Sequence, residues 1–89
     1  MAALDLLGRR WALRVLWELR EGPLTFRAIR AVCEGVSPSV LNSRLRELRD
    51  AGVVERTDAG YALTDTGKKL RRSLVPLYRW SEEWGRHWQ

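Results

Sequence analysis

At 89 residues the chain is one small domain, near the size where a single core only just holds itself together, so help from a second chain would fit it. A hydrophobic content of 45% with 30% charged residues excludes a disordered chain, and sixteen basic against eleven acidic side chains, a net +5, mark a protein that meets a polyanion. One cysteine, Cys33, and one histidine, His87, exclude an intrachain disulfide framework and a Cys/His zinc site, and point to a reducing compartment such as the cytoplasm.

Fourteen of the sixteen basic residues are arginine, which pairs bidentately with phosphate and guanine; a GC-biased genome would give the same excess. From 3 to 20, Leu4, Leu7, Trp11, Val15 and Leu19 recur every three to four residues and predict an amphipathic helix, with Leu16 and Trp17 widening its buried side. Gly8 costs that helix about 1 kcal/mol relative to alanine, which predicts a close approach there or a break between a leading turn and the main helix. Arg9, Arg10 and Arg14 interrupt the first hydrophobic stretch, so neither a secretory leader nor a membrane span is expected.

Glu21-Gly22-Pro23 ends this helix, and Thr25 caps a short second one over 26–32, with Phe26, Ala28 and Ile29 inward and Arg27 and Arg30 outward. A tight connection, Cys33-Glu34-Gly35-Val36, leads to a third helix over 38–51, in which Ser37 is the N-cap, Pro38 takes the first position and Gly52 the stop. Leu41, Leu45 and Leu48 fall within about 60° of one another and form an anchoring stripe. Ser39, Asn42, Ser43 and Arg46 lie opposite. Two short helices joined through a glycine turn, the second polar outward, are the sequence form of a helix-turn-helix.

After Gly52, Val53–Thr57 and Tyr61–Thr64 flank Asp58-Ala59-Gly60 and predict a β-hairpin, a wing over 53–64. Thr64 caps a last helix over 65–88 whose Leu70, Leu74, Leu77, Trp80, Trp84 and Trp88 repeat at helical steps; Pro76 is expected to kink or split it. The fold class is therefore mainly α with a small β-hairpin, a winged helix-turn-helix spanning 1–89 as one domain.

The chain resembles the HxlR family of bacterial and archaeal transcriptional regulators, relatives of the MarR group. Gly8-Arg9-Arg10-Trp11 resembles the family's opening of the first long helix, and Gly22-Pro23-Leu24-Thr25-Phe26 is similar to its entry to the second. The run 35–56 resembles its recognition helix and exit to the wing, and Tyr61-Ala62-Leu63-Thr64-Asp65-Thr66-Gly67 its Tyr-x-Leu-Thr-x-x-Gly. Trp80 falls where the family often has tryptophan. The resemblance implies pairing of two chains through N- and C-terminal helices. The chain departs from it in three respects: it has no cysteine before the first helix, its wing is short with an uncharged-to-acidic tip, and Thr25 stands where arginine is usual.

Arg46 and Asn42 suit base edges, since arginine reads guanine and asparagine adenine; each also reads as solvated surface. Ser39, Val40 and Ser43 suit thymine methyls or phosphates, with packing on the first helix the other reading of Val40. Thr25, Arg27, Ser37 and Arg56 are candidate phosphate contacts, although capping alone would account for Thr25 and Ser37. Lys68, Lys69, Arg71 and Arg72, the densest positive cluster, read as a solvated face or a contact with flanking DNA. Cys33 reads as buried and structural, or as a redox-sensitive residue.

Leu4, Leu7, Leu77, Trp80, Trp84 and Trp88 form more apolar surface than so short a monomer easily buries, and predict a dimer interface. The expected function is a homodimeric transcriptional regulator that binds double-stranded DNA at a palindromic operator, with no cofactor and no membrane partner. The alternative is a winged-helix protein-interaction module that uses its tryptophan-rich helix and does not bind DNA. No Ser/His/Asp set, phosphate-cradling glycine loop or metal cluster suggests an enzyme.

Overall fold

The computed structural model describes residues 2–88, with side chains described as far as Arg86. In chain order the elements are α1 (Ala2–Leu7), α2 (Ala12–Glu18), α3 (Phe26–Val32), α4 (Pro38–Asp50), β1 (Val54–Thr57), β2 (Gly60–Leu63) and α5 (Asp65–Trp88). The helix expected over 3–20 is two helices. Its break begins at Gly8, whose amide closes α1 on the Leu4 carbonyl at 2.8 Å, and is completed by Trp11, left-handed at φ 77°. A left-handed tryptophan costs backbone energy, offset here because the turn lets Leu6, Leu7 and Trp11 all pack against the core. At its other end α2 stops at Glu18, two residues short of the expected end at position 20.

The core gathers Val15, Leu16 and Leu19 of α2, Ile29 of α3, Leu41, Leu45 and Leu48 of α4, and Val54, Tyr61 and Leu63 of the hairpin. Cys33 is buried among them, and burial pushes its thiol pKa up, with Arg14 opposing and Glu18 adding to the rise. β1 and β2 pair antiparallel from Val54 opposite Leu63 to Thr57 opposite Gly60. Leu24, on the approach to α3, bridges to Tyr61 through two backbone hydrogen bonds of 2.9 and 2.7 Å. Gly60 is required at that junction: its φ is +124° and an added Cβ would overlap the Leu24 backbone.

α5 is a single element, not two. Pro76 removes one amide donor from it, but Pro76 and Arg72, whose carbonyl loses that donor, are both exposed, so the missing bond falls on the solvent side of the helix. Leu70 and Leu74 pack on the core, and Tyr78 continues the contact by donating its hydroxyl to the Leu13 carbonyl at 3.2 Å and setting its ring 4.6 Å from Trp17. None of the described helices is long and apolar enough to cross a membrane.

Candidate nucleic-acid interface

α4 is specified at its start by side-chain chemistry. Ser37 sits in extended backbone and its Oγ accepts from the Val40 amide at 3.2 Å, while Pro38 occupies the first turn where no donor is needed. The leucine stripe is fully buried, Leu45 at 1% exposure. That burial fixes the rotation of the helix about its axis and leaves the opposite arc, with Ser39, Asn42, Arg46 and Arg49, exposed to solvent.

At its far end α4 is tied to α5 through one side chain. The Thr64 hydroxyl donates to the Gly52 carbonyl at 2.6 Å and accepts from the Gly67 amide at 3.0 Å, and the Thr64 amide donates to the Val53 carbonyl at 3.1 Å. The exit of α4 and the start of α5 therefore share one cap. An added Cβ at Gly67 would overlap the Val53 carbonyl oxygen, so only glycine lets the two backbones meet.

Between α4 and β1 lies a cleft of about 510 Å³ lined by Arg46, Arg49, Asp50, Val54, Glu55 and Arg56. The Arg56 guanidinium stands 5.8 Å from the Tyr61 ring centre, which holds it on the helix side of the hairpin. Three arginines thus border one concave surface, a geometry able to hold phosphate oxygens bidentately and to place donors at a guanine edge. Arg49 was not among the residues singled out from the sequence. The signal was there: seven residues beyond Asn42, it lies within about 20° of it around the helix.

The sequence-derived candidates divide into two groups. Asn42, Arg46 and Ser39 are exposed on α4 and Arg56 joins Arg46 at the cleft. Thr25 and Arg27 are exposed at the start of α3, where Thr25 Oγ1 accepts from the Ala28 amide at 3.1 Å; Ser37, also a cap, lies 3.4 Å from the Ser39 hydroxyl. Ser43 is half-buried, and Val40 packs against the core, so the packing account of Val40 is the one its position supports. On the same flank Arg44, unremarked in the sequence, lies largely covered and pairs with Glu47 at 3.1 Å, which in turn reaches Arg9 at 3.7 Å.

The wing tip is closed on itself. Thr57 Oγ1 donates to the Gly60 carbonyl at 2.9 Å and accepts from the Ala59 amide at 3.2 Å, and the tip presents no cation. On the apolar side, Leu4 is 61% exposed, Trp80 56%, Trp84 47% and Leu77 43%, with the Trp80 and Trp84 rings stacked at 5.8 Å. Leu7, by contrast, is half-buried against the core of its own chain, because the break after α1 folds it inward. The Trp88 side chain lies outside the described residues.

Comparison with known proteins bears on the family and the fold. The model of the HxlR-like helix-turn-helix family matches residues 6–89. The uncharacterized HTH-type transcriptional regulator YvaP of Bacillus subtilis is 36% identical over 89 residues, covering 92% of this chain and 82% of YvaP. Among solved structures, a possible HxlR family transcriptional factor from Thermoplasma volcanium GSS1 superposes with a TM-score of 0.86 at 34% identity, covering 93% of this chain and 81% of that one. Quinone-bound YodB from B. subtilis gives 0.83 at 32% identity, covering 92% and 93%.

Proposed function

The chain belongs to the HxlR-like helix-turn-helix family of transcriptional regulators, and from that premise we propose that it acts as a homodimer reading a palindromic operator, α4 of each copy entering a major groove. The observation that carries this reading is the division of α4 into a leucine face sealed in the core and an exposed arc bearing Asn42 and Arg46 beside the Arg49 and Arg56 cleft. Asn42 and Arg46 take base edges. Ser39 and Ser43 flank them, Val40 contributes only its edge, and Thr25, Arg27, Ser37, Arg49 and Arg56 take phosphates.

The exposed Leu4, Leu77, Trp80 and Trp84 support pairing of two chains through α1 and α5, which would set the two α4 helices about 34 Å apart on successive grooves. Relatives are named transcriptional regulators, which supports a binding role and not an enzymatic one, with genomic DNA in the cytoplasm as the target. The bare wing tip and the stacked tryptophans together favour a second reading, a protein-interaction module without DNA binding.

Selection of genomic fragments on the purified protein, followed by affinity measurements against salt, separates the two. Arg46→Ala is expected to relax discrimination at one base pair by about 1–3 kcal/mol, while Arg56→Ala weakens every duplex alike and lowers the salt slope by about one unit. No retained fragment at about 50 mM salt would end the operator reading in favour of the module.

A further inference from the structure

We infer that the cleft between the end of α2 and the start of α5 is a binding site for a small polyphosphate anion, separate from the surface offered to DNA. The cleft has a volume of about 400 Å³, within the range of small-ligand sites, and its charged lining is Arg20, Lys68, Arg71 and Arg72 with the single acid Glu21. Arg20 lies two residues past the end of α2 and the other three cations come from the first eight residues of α5, so folding brings together charges that are some fifty positions apart in the chain.

These cations are not neutralised within the chain. Among the described residues Lys68, Arg71 and Arg72 have no carboxylate in ion-pair range, and Arg20 has only the exposed Glu21 at 3.8 Å. Arg71 is half-buried, and it lies close enough to Tyr78 to oppose the rise that burial gives that phenol's pKa. Four like charges converging on one concavity repel one another unless an anion joins them. Arg20 is also held ready. Its guanidinium lies 4.0 Å over the Trp17 ring and its Nη1 donates to the Trp17 carbonyl at 3.1 Å, so its position is fixed before any ligand arrives, at the boundary between this cleft and the neighbouring one lined by Trp17 and Tyr78.

The position distinguishes this cleft from the one beside α4. Arg46, Arg49 and Arg56 border the outer edge of β1, whereas Arg20, Lys68, Arg71 and Arg72 border β2 on its other edge, past the Leu24 bridge. The hairpin stands between the two basic surfaces. A compact ligand with two or more phosphate groups matches both the volume and the number of donors, since each arginine can hold two phosphate oxygens in charge-assisted bonds.

The test is calorimetric titration of the whole protein with inorganic pyrophosphate at constant ionic strength, with fluorescence anisotropy on a retained genomic fragment run in parallel. Saturable binding of pyrophosphate is expected, weakened about tenfold or more by Arg71→Gln and by Arg20→Gln, since each removes a charge-assisted pair, and unchanged by Arg30→Gln on α3. Should Arg20→Gln or Arg71→Gln lower the melting temperature, the exposed pair Lys68→Gln with Arg72→Gln serves instead, with the same loss expected. Binding that does not saturate, or that survives these changes, would overturn the assignment. Loss of duplex affinity and a flatter salt slope in the same variants would also overturn it, making the cleft a contact with flanking DNA.

Discussion

Gly67→Ala puts the junction between the recognition helix and α5 to a test in which two physical effects have opposite signs. Gly67 lies in the first turn of α5, and by helix propensity alone alanine there would stabilise the chain by about 1 kcal/mol. The new Cβ would overlap the Val53 carbonyl oxygen, and because the obstacle is backbone no rotamer change relieves it. Overpacking of this kind costs about 1–3 kcal/mol. The same oxygen accepts from the Thr64 amide at 3.1 Å, so displacing it weakens a further bond of about 1 kcal/mol. The net expectation is destabilisation by about 1–3 kcal/mol, a fall in Tm of about 5–15 °C for a domain of this length. Gly85, on the same helix with nothing within 4 Å of an added Cβ, is the internal control, and Gly85→Ala should leave Tm unchanged or raise it slightly. Circular-dichroism melts of the three proteins at one concentration measure this. A Gly67→Ala protein as stable as the parent would refute the close approach.

Thr64→Val deletes the hydroxyl that serves both Gly52 and Gly67 and should cost about 1–2 kcal/mol in the same melts; no loss would show that the shared cap contributes nothing. Trp80→Glu with Trp84→Glu should give a monomer in sedimentation that binds half-sites but loses the gain from a palindrome, and an unchanged sedimentation coefficient would place the interface elsewhere. Because burial raises the Cys33 thiol, the folded state holds that proton more tightly than the unfolded chain. Its stabilising contribution is complete below the ordinary thiol pKa of about 8.5 and is lost as pH rises toward the raised folded value. Tm should thus be flat from neutral pH to about 8.5 and fall above it, Cys33→Ala should remove the first part of that fall, and the burial-raised Tyr78 should retain the later part.

The parts of the fold that were legible are those whose cause is local. Ser37, Pro38 and the Leu41, Leu45, Leu48 stripe specify α4 within fourteen positions, and the structure has the cap bond and the buried face that they imply. The break in 3–20 was legible only at Gly8. Trp11 carries no local signal for a left-handed conformation, which is sustained by packing contacts that come from distant segments. Val40 misleads for the same reason, since a valine at the edge of a polar arc is exposed or covered according to what folds against that edge. Arg44 and Arg49 differ in sequence only by position, yet one is folded into a pair with Glu47 and the other faces the cleft beside β1. Nothing local to Arg20 signals the cleft, because its neighbours on α5 are reached only through the tertiary fold.

The orientation of the exposed arc of α4 is set at both ends by bonds that involve neither base-reading nor dimer-forming side chains. Ser37 fixes where the helix begins, and the leucines fix its rotation. Thr64 then passes the position of its last turn directly to α5, since one oxygen bonds the Gly52 carbonyl on one side and the Gly67 amide on the other. From there α5 is an unbroken helix as far as the Trp80–Trp84 stack, a rigid rise of about 1.5 Å per residue. If two chains pair through that stack, the separation and tilt of their recognition helices follow from a path containing no loop after Thr64. Register on the operator is then a property of the Gly52–Thr64–Gly67 junction as much as of the interface.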